Sequence, residues 1–205
     1  MLFSLLLVFS LQLFDYDTTK EIKNGDLVFV HQSCGPMCDA IIDVTKYKYV
    51  PYSHVGIIHI NNQDTLVLEA NSNGVVATNW KDFIGKYNFV DIGRSVLINE
   101  EMSVKAITFI YTQMGKPYDY YFMPDNDRYY CSELIYDAFK YANNNQPIFM
   151  LNPMSFKDIK SGNVNDAWKN HFQKMGVEIP EGVLGCNPGE MSMENHMIIY
   201  RYDKN

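Results

Sequence analysis

Cys131 is the residue from which chemistry is best argued. Taken alone it reads as a buried core cysteine, because it lies on the same helical stripe as Leu134, Ile135 and Ala138. Its place in the chain points elsewhere. Tyr129-Tyr130 precede it in extended-looking sequence, so Cys131 falls in the first turn of the helix. Unpaired backbone N–H groups and the helix dipole there favour a thiolate and offer donors to the oxyanion formed when that thiolate attacks a carbonyl.

A thiolate nucleophile needs a base, and the chain offers His31, His54, His59, His171 and His196. His54 stands in Ser53-His54-Val55-Gly56-Ile57, early in a strand and near a glycine that permits close approach of another backbone or a substrate. His59 projects from the opposite face of that strand, which separates it from any joint role. Glu69 interrupts the apolar run Leu66-Val67-Leu68-Glu69-Ala70, where an unpaired charge is costly. With a two-residue turn at Asn61-Asn62, His54 and Glu69 fall directly opposite on one face. With a four-residue turn they become diagonal neighbours on that same face. Either register lets the carboxylate orient the imidazole, whereas the plain alternative is a surface glutamate on a half-exposed hairpin. Tyr118 and Tyr130 are candidates for lining a substrate cleft. Glu133 reads as a helix-terminus carboxylate, and Asp26 as a residue tying down a turn.

The elements that must position these residues follow from periodicity and punctuation. Gly25 opens a strand at Asp26–Val30, and Pro36 to Val44 patterns as a short helix. Ser53–Ile60, Thr65–Ala70 and Val75–Thr78 are β-rich runs separated by Asn and Gly turn signals. Tyr87–Ile98 is expected to form a further strand or two. Asn99 caps a helix running to Met114, with Glu100 and Glu101 in its electropositive first turn. Cys131 begins a second helix, Asp166–Met175 a third that Gly176 stops, and His196–Tyr202 closes as a strand. Strands come first and helices after, which is the α+β pattern of one compact domain, here residues 21–205.

The motifs Gly25-Asp26-Leu27-Val28-Phe29, Ser53-His54-Val55-Gly56-Ile57 and Tyr130-Cys131-Ser132-Glu133-Leu134 resemble those of the YiiX-like branch of permuted NlpC-type papain-fold hydrolases. Gly115-Lys116-Pro117-Tyr118-Asp119 and the tail from Trp168 through Pro180, Gly182 and Asn187-Pro188-Gly189 resemble that branch too. The resemblance implies a papain-like core of permuted chain order, with an antiparallel sheet or partial barrel packed against helices. It also implies a nucleophile at Cys131, a base at His54 and an orienting polar residue at Glu69. The reaction would cleave an amide or ester through a thioacyl intermediate, with no metal or organic cofactor. Substrates in the family range from cell-wall peptides to acyl lipids. An acyltransferase or phospholipase similar to lecithin retinol acyltransferase shares the permuted order, but that family usually has a histidine where this chain has Glu69. A binding module that had lost catalysis would have no need of Cys, His and Glu together.

Composition sets the outer bounds. The 205 residues suffice for one substantial core, and a hydrophobic share of 47% with 20% charged residues is globular. A net charge of −7 without a Lys/Arg cluster argues against nucleic acid and against an anionic membrane surface. His31, Cys34 and Cys38 are spaced like half of a metal site, yet lack the second pair that structural zinc needs. Cys34 with Cys38, or Cys34 with Cys186, are pairings open to the chain after export. Leu2 to Phe14 is apolar and too short to span a bilayer, and it resembles the core of a signal peptide, although no Lys or Arg precedes it. Residues 1–20 are therefore expected to be an export segment, with an N-terminal helix in a cytoplasmic protein as the alternative and membrane association confined to that segment. N-terminal mass spectrometry of protein from its natural host should find a mature start after Phe14. An intact start in the soluble cytosolic fraction would exclude export by this route.

Overall fold

The computed structural model describes residues 21–31, 35–45, 51–158 and 161–204. The apolar segment Leu2–Phe14, Cys34 and the side chain of Cys38 lie outside what it describes. Six strands form one antiparallel sheet: β1 (Leu27–Val30), β2 (His54–Ile60), β3 (Thr65–Asn71), β4 (Gly74–Asn79), β5 (Val90–Ser95) and β6 (Met197–Arg201). Their order across the sheet is β4-β3-β2-β1-β5-β6, so the sheet is open, with β4 and β6 at its edges. The helices are α1 (Pro36–Thr45), α2 (Trp80–Gly85), α3 (Glu100–Thr112), α4 (Cys131–Ala142), α5 (Asp166–Met175) and α6 (Pro188–Ser192). Between α4 and the end of the chain, Asn152-Pro153 and Leu184-Gly185 make a separate two-residue ladder.

The central strand β1 shows why the run Leu-Val-Phe-Val is uninterrupted by polar residues. Leu27 and Phe29 face a core completed by Ala106, Ile107 and Ile110 of α3 and by Leu134, Ile135, Ala138 and Phe139 of α4. Val28 and Val30 face the opposite layer, closed by Trp80 and Phe83 of α2. Both faces are covered, so alternation would have left a polar side chain buried. A third cluster joins Ala40 of α1 to Trp168 and Phe172 of α5, and Trp168 Nε1 donates to the Ala40 carbonyl at 3.2 Å.

The helix boundaries follow their capping residues. Asn99 accepts from Met102 N–H at 2.9 Å, and Asn165 accepts from Trp168 N–H at 3.1 Å. Gly176 ends α5 at φ 68°, a left-handed turn that costs glycine little. The stretch 87–98 yields one strand, and α2, α6 and the small ladder are elements that periodicity does not announce. At five or six residues, α2 and α6 are shorter than the window in which a helical stripe becomes legible.

The placement of α4 rests on its apolar stripe. Phe139 is fully buried at the end of the helix remote from Cys131, with its ring 5.9 Å from that of Phe149. Phe139→Ala should cost about 3–5 kcal/mol of unfolding free energy, read from urea denaturation. A change below about 1 kcal/mol would mean that α4 is not anchored by this stripe.

Candidate active site

The hairpin β2–β3 supplies two of the expected residues. Its register pairs Ile60 with Thr65 and Ile57 with Leu68, closed by Asn61 N–H to the Asp64 carbonyl at 3.0 Å. This is the four-residue turn, so His54 and Glu69 are diagonal neighbours and not directly opposed. Asn61 Oδ1 stabilises the wider turn by accepting from the N–H groups of Gln63 and Asp64. Register continuation puts Gly56 across from Glu69. A Cβ there would lie 2.5 Å from Val67 Cγ1 and 3.4 Å from Glu69 Cβ. The missing side chain leaves room for Glu69 to lean towards His54, and Glu69 Oε2 meets His54 Nε2 at 2.5 Å.

Both members of this pair are buried, His54 at 4% exposure and Glu69 at 2%. Burial alone would push Glu69 upward, but hydrogen bonds from His54, Thr78 and Asn71 hold its carboxyl below the usual range. Thr78 Oγ1 donates to Glu69 Oε1 at 2.5 Å from the neighbouring strand. Burial likewise pulls His54 down. Its hydrogen bonds to Cys131 and Glu69, and their negative charge, outweigh that and push it up to about 10. Nε2 is committed to Glu69, which leaves Nδ1 as the nitrogen turned to Cys131.

The beginning of α4 brings the third residue. Cys131 is the first residue of the helix and 6% exposed. The chain reaches it through a bridge between Tyr118 and Tyr129, with Asp119 N–H donating to the Tyr129 carbonyl at 3.0 Å. Glu133 Oε2 accepts the Tyr130 N–H at 3.3 Å, and burial pushes the Glu133 carboxyl up to about 8. Glu133 thus sits at the helix terminus. Ser132 Oγ donates to the Cys186 carbonyl at 2.9 Å, and Cys186 N–H donates to the Tyr130 hydroxyl at 3.3 Å. Cys131 and Cys186 are both free thiols. Burial pushes the Cys186 thiol upward, so it stays protonated.

Tyr118 and Tyr130 both line a cleft of about 150 Å³ beside Cys131. The Tyr118 hydroxyl is pushed well upward by burial and by the neighbouring Cys131, and so remains a neutral donor. Ile41, Val44, Phe122, Met154, Phe156 and Trp168 form an apolar wall, with Ser53, Asn152 and Asn187 as polar points. These walls come from stretches far apart in the chain, so no local pattern reveals them. Tyr87 was also hidden: burial raises its hydroxyl, and the Glu69 and Cys131 charges raise it further, so it stands near both. Thr78 carried a usable signal. The Asn73-Gly74 turn pairs Val67 with Thr78, one diagonal from Glu69.

The other expected roles separate cleanly. His59 Nδ1 meets Tyr111 Oη at 2.8 Å on α3, His171 Nε2 donates to the Tyr120 carbonyl, and His196 Nδ1 meets Ser95 Oγ. Asp26 accepts from Arg94 at 2.8 Å and from Lys23 N–H at 2.8 Å, tying down the turn before β1. Gly56→Ala should push Val67 and Glu69 away and loosen the His54–Glu69 contact. The imidazole should then titrate at least one pH unit below wild type by NMR, in protein that still unfolds cooperatively. An unchanged titration would show that the gap at Gly56 has no bearing on the pair.

The sequence profile of a family described as permuted papain-like amidase enzymes, YaeF/YiiX, C92 family, matches residues 21–197. Protein YiiX of Escherichia coli (strain K12), itself uncharacterized, is 32% identical over 127 residues, which is 58% of this chain and 58% of the relative. The chain thus aligns with little more than half the length of that relative. A crystal structure described as the metalloprotein yiiX from Escherichia coli O157:H7 has a TM-score of 0.71 at 22% identity, covering 87% of this chain and 96% of that one. Its likeness shows the fold: helices and an antiparallel sheet in the α+β arrangement expected from the sequence. The chain belongs to the YaeF/YiiX family of permuted papain-like amidases.

Proposed function

We propose that this protein hydrolyses an amide or ester whose acyl portion is apolar, using Cys131 as nucleophile, His54 as base and acid, and Glu69 to orient His54. The observation that carries this reading is the buried His54–Glu69 contact at 2.5 Å, with Cys131 adding to the upward shift of the imidazole. A protonated imidazole beside the thiol favours the thiolate–imidazolium form.

The sulfur adds to the substrate carbonyl carbon, and the carbonyl π electrons move to oxygen. The Cys131 N–H at the start of α4 and the Tyr118 hydroxyl are the donors for that oxyanion. As the C–N or C–O bond breaks, His54 Nδ1 gives its proton to the leaving amine or alkoxide, and a thioester remains on Cys131. Water then attacks the thioester while His54 takes its proton. Collapse of the second tetrahedral species expels the thiolate and frees the acid. Glu69 keeps Nε2 protonated throughout, so only Nδ1 exchanges protons with the reacting atoms.

The substrate preference follows from the cleft wall. Phe122, Phe156 and Trp168 line the cleft beside Ile41, Val44 and Met154, and its one charged lining residue among the described residues is the acidic Glu190, with no Lys or Arg. An apolar acyl chain gains from contact with that wall, and a carboxylate-bearing one must be desolvated without a cationic partner.

The structural neighbour is described as a metalloprotein. Here, no three His, Cys, Asp or Glu side chains gather as metal ligands among the described residues, and His54 Nε2 and Glu69 are engaged with each other. The donor set does not fit a metal at this site, and the steps above assign none to one.

The test pairs a thiol probe with a matched amide panel. Limiting iodoacetamide at pH 6 should label Cys131 before Cys34, Cys38 or Cys186. Anilides of hexanoic acid should turn over at least about tenfold faster than anilides of equal length ending in a carboxylate. Cys131→Ala and His54→Ala should lose about 10⁴-fold. Preferential labelling of another cysteine would remove Cys131 as nucleophile, and equal turnover across the panel would remove the acyl preference alone.

A further inference from the structure

We propose that Thr78 is a positioning residue: by donating to Glu69 Oε1 from β4, it keeps the carboxylate ionised and aims Oε2 at His54. The inference rests on the reading of Cys131, His54 and Glu69 given above, and extends it by one strand.

Unaided, Glu69 would be driven to take up a proton. Its carboxylate is almost wholly enclosed, beside an apolar layer that includes Val67, Ile58 and Phe83. A carboxylate in that setting gains by taking a proton, unless donors occupy its lone pairs. His54 satisfies Oε2 at 2.5 Å and Thr78 Oγ1 satisfies Oε1 at 2.5 Å. Asn71 is a further, smaller influence holding the carboxyl low. Asn71 Oδ1 also accepts from Asn73 N–H at 2.9 Å, so this side chain is shared with the β3–β4 turn. The Thr78 hydroxyl makes no second hydrogen bond among the described residues.

Geometry explains why a threonine on β4 reaches the site. β3 and β4 pair Glu69 with Val76 and Val67 with Thr78, which makes Thr78 a same-face diagonal neighbour of Glu69. His54 is the corresponding diagonal on the other side, across β2. The carboxylate is therefore held from both flanking strands, with one oxygen assigned to each. A β-branched residue in a strand has few χ1 choices, so the hydroxyl is delivered in a fixed direction. Gln or Ser at a flexible loop position would not constrain the carboxylate plane equally well.

Among the titratable groups around it, His54 from β2 touches Glu69, and Tyr87 from the segment after α2 feels its charge. Tyr87 is neutral across the working range and Cys131 lies beyond the imidazole. The acid-side protonation of Glu69 is therefore governed by His54 and by its remaining donors, of which Thr78 is one.

The measurement is the NMR titration of the His54 ring from pH 3 to 11, joined to the pH dependence of Cys131 alkylation, in wild type, Thr78→Val and Thr78→Ser. Thr78→Val keeps the shape and β-branching but removes the donor. A hydrogen bond to a charged acceptor is strong enough that its loss should move the acid step of the His54 resonances up by about one pH unit. Alkylation of Cys131 should lose its acid side over the same interval. Thr78→Ser should restore the wild-type profile to within a few tenths of a pH unit. In a Glu69→Gln background, Thr78→Val should produce no further shift, which a general loosening of β4 would not predict. An acid step unmoved in folded Thr78→Val would overturn the proposal, as would an equal shift in the Glu69→Gln background. Should Thr78→Val fold poorly, Thr78→Ala at this half-buried position gives the same comparison. The ring resonances report Glu69 whatever the reactivity of Cys131. Failure of Cys131 to react would count against the hydrolase reading, and an unmoved acid step against Thr78 alone.

Discussion

A histidine and a glutamate in contact beneath the surface set the terms for the rest of this structure. Removing two such groups from water costs roughly several kcal/mol each, and their mutual attraction offsets this only when geometry and additional hydrogen bonds are good. Here the offset comes from three neighbouring strands and one helix: β2 carries His54, β3 carries Glu69, β4 carries Thr78, and Cys131 arrives with α4. Linkage gives the pair a definite pH window. The raised His54 contributes stability that is complete below its ordinary 6.5 and lost as pH climbs towards about 10. The lowered Glu69 contributes stability present above its ordinary 4.5 and lost as pH falls through its folded value. Both describe one interaction, which is intact between those limits and should be counted once.

The helix that brings Cys131 to the pair, α4, is secured at both ends. Its far end is sunk into the core through Ala138 and Phe139, which fixes the axis. Its near end is tied to the 185–187 segment by Ser132 and Tyr130, the two residues flanking Cys131. The approach to the helix is equally constrained. The buried Asp119 carboxylate accepts from Tyr121 and Met123 N–H at 2.9 and 2.8 Å, folding the loop so that Phe122 sits at φ 54°. Left-handed backbone at a bulky side chain is costly, and ring contacts from Phe122 to Tyr130, Phe156 and Trp168 offset it. The strained residue thereby forms part of the apolar wall beside the sulfur.

What could be read from the sequence divides along physical lines. His54 and Glu69 are fifteen residues apart on a hairpin, so strand alternation alone puts them on one face, and only the turn length was open. The wider turn won because Asn61 can cap it with its own side chain. The helix beginning at Cys131 was legible from its apolar stripe and the β2–β3–β4 pairings from their short turns, whereas the β1–β5 and β5–β6 pairings join strands far apart in the chain. The cleft wall was not legible, because Ile41, Phe122, Met154 and Trp168 converge through tertiary packing that leaves no periodic trace. Thr78 lay within reach of the same register reasoning used for Glu69, carried one hairpin further. It escaped because a threonine in a strand needs no special explanation.

The division between local and long-range contacts also explains how a permuted chain order can serve this chemistry. The orientation of the imidazole is settled within residues 54–78, by strand pairings that each close through a short turn, and Cys131 adds to its charge from outside that stretch. The position of the sulfur is settled separately, by where α4 begins and what its stripe packs against. Neither half dictates which must come first in the chain. The two need only meet at the end of the sheet, where the first residue of β2 and the first residue of α4 come together. On the proposed reading, the nucleophile at a helix start and the base on a hairpin are independent modules joined by packing, and the order His before Cys follows at no geometric cost.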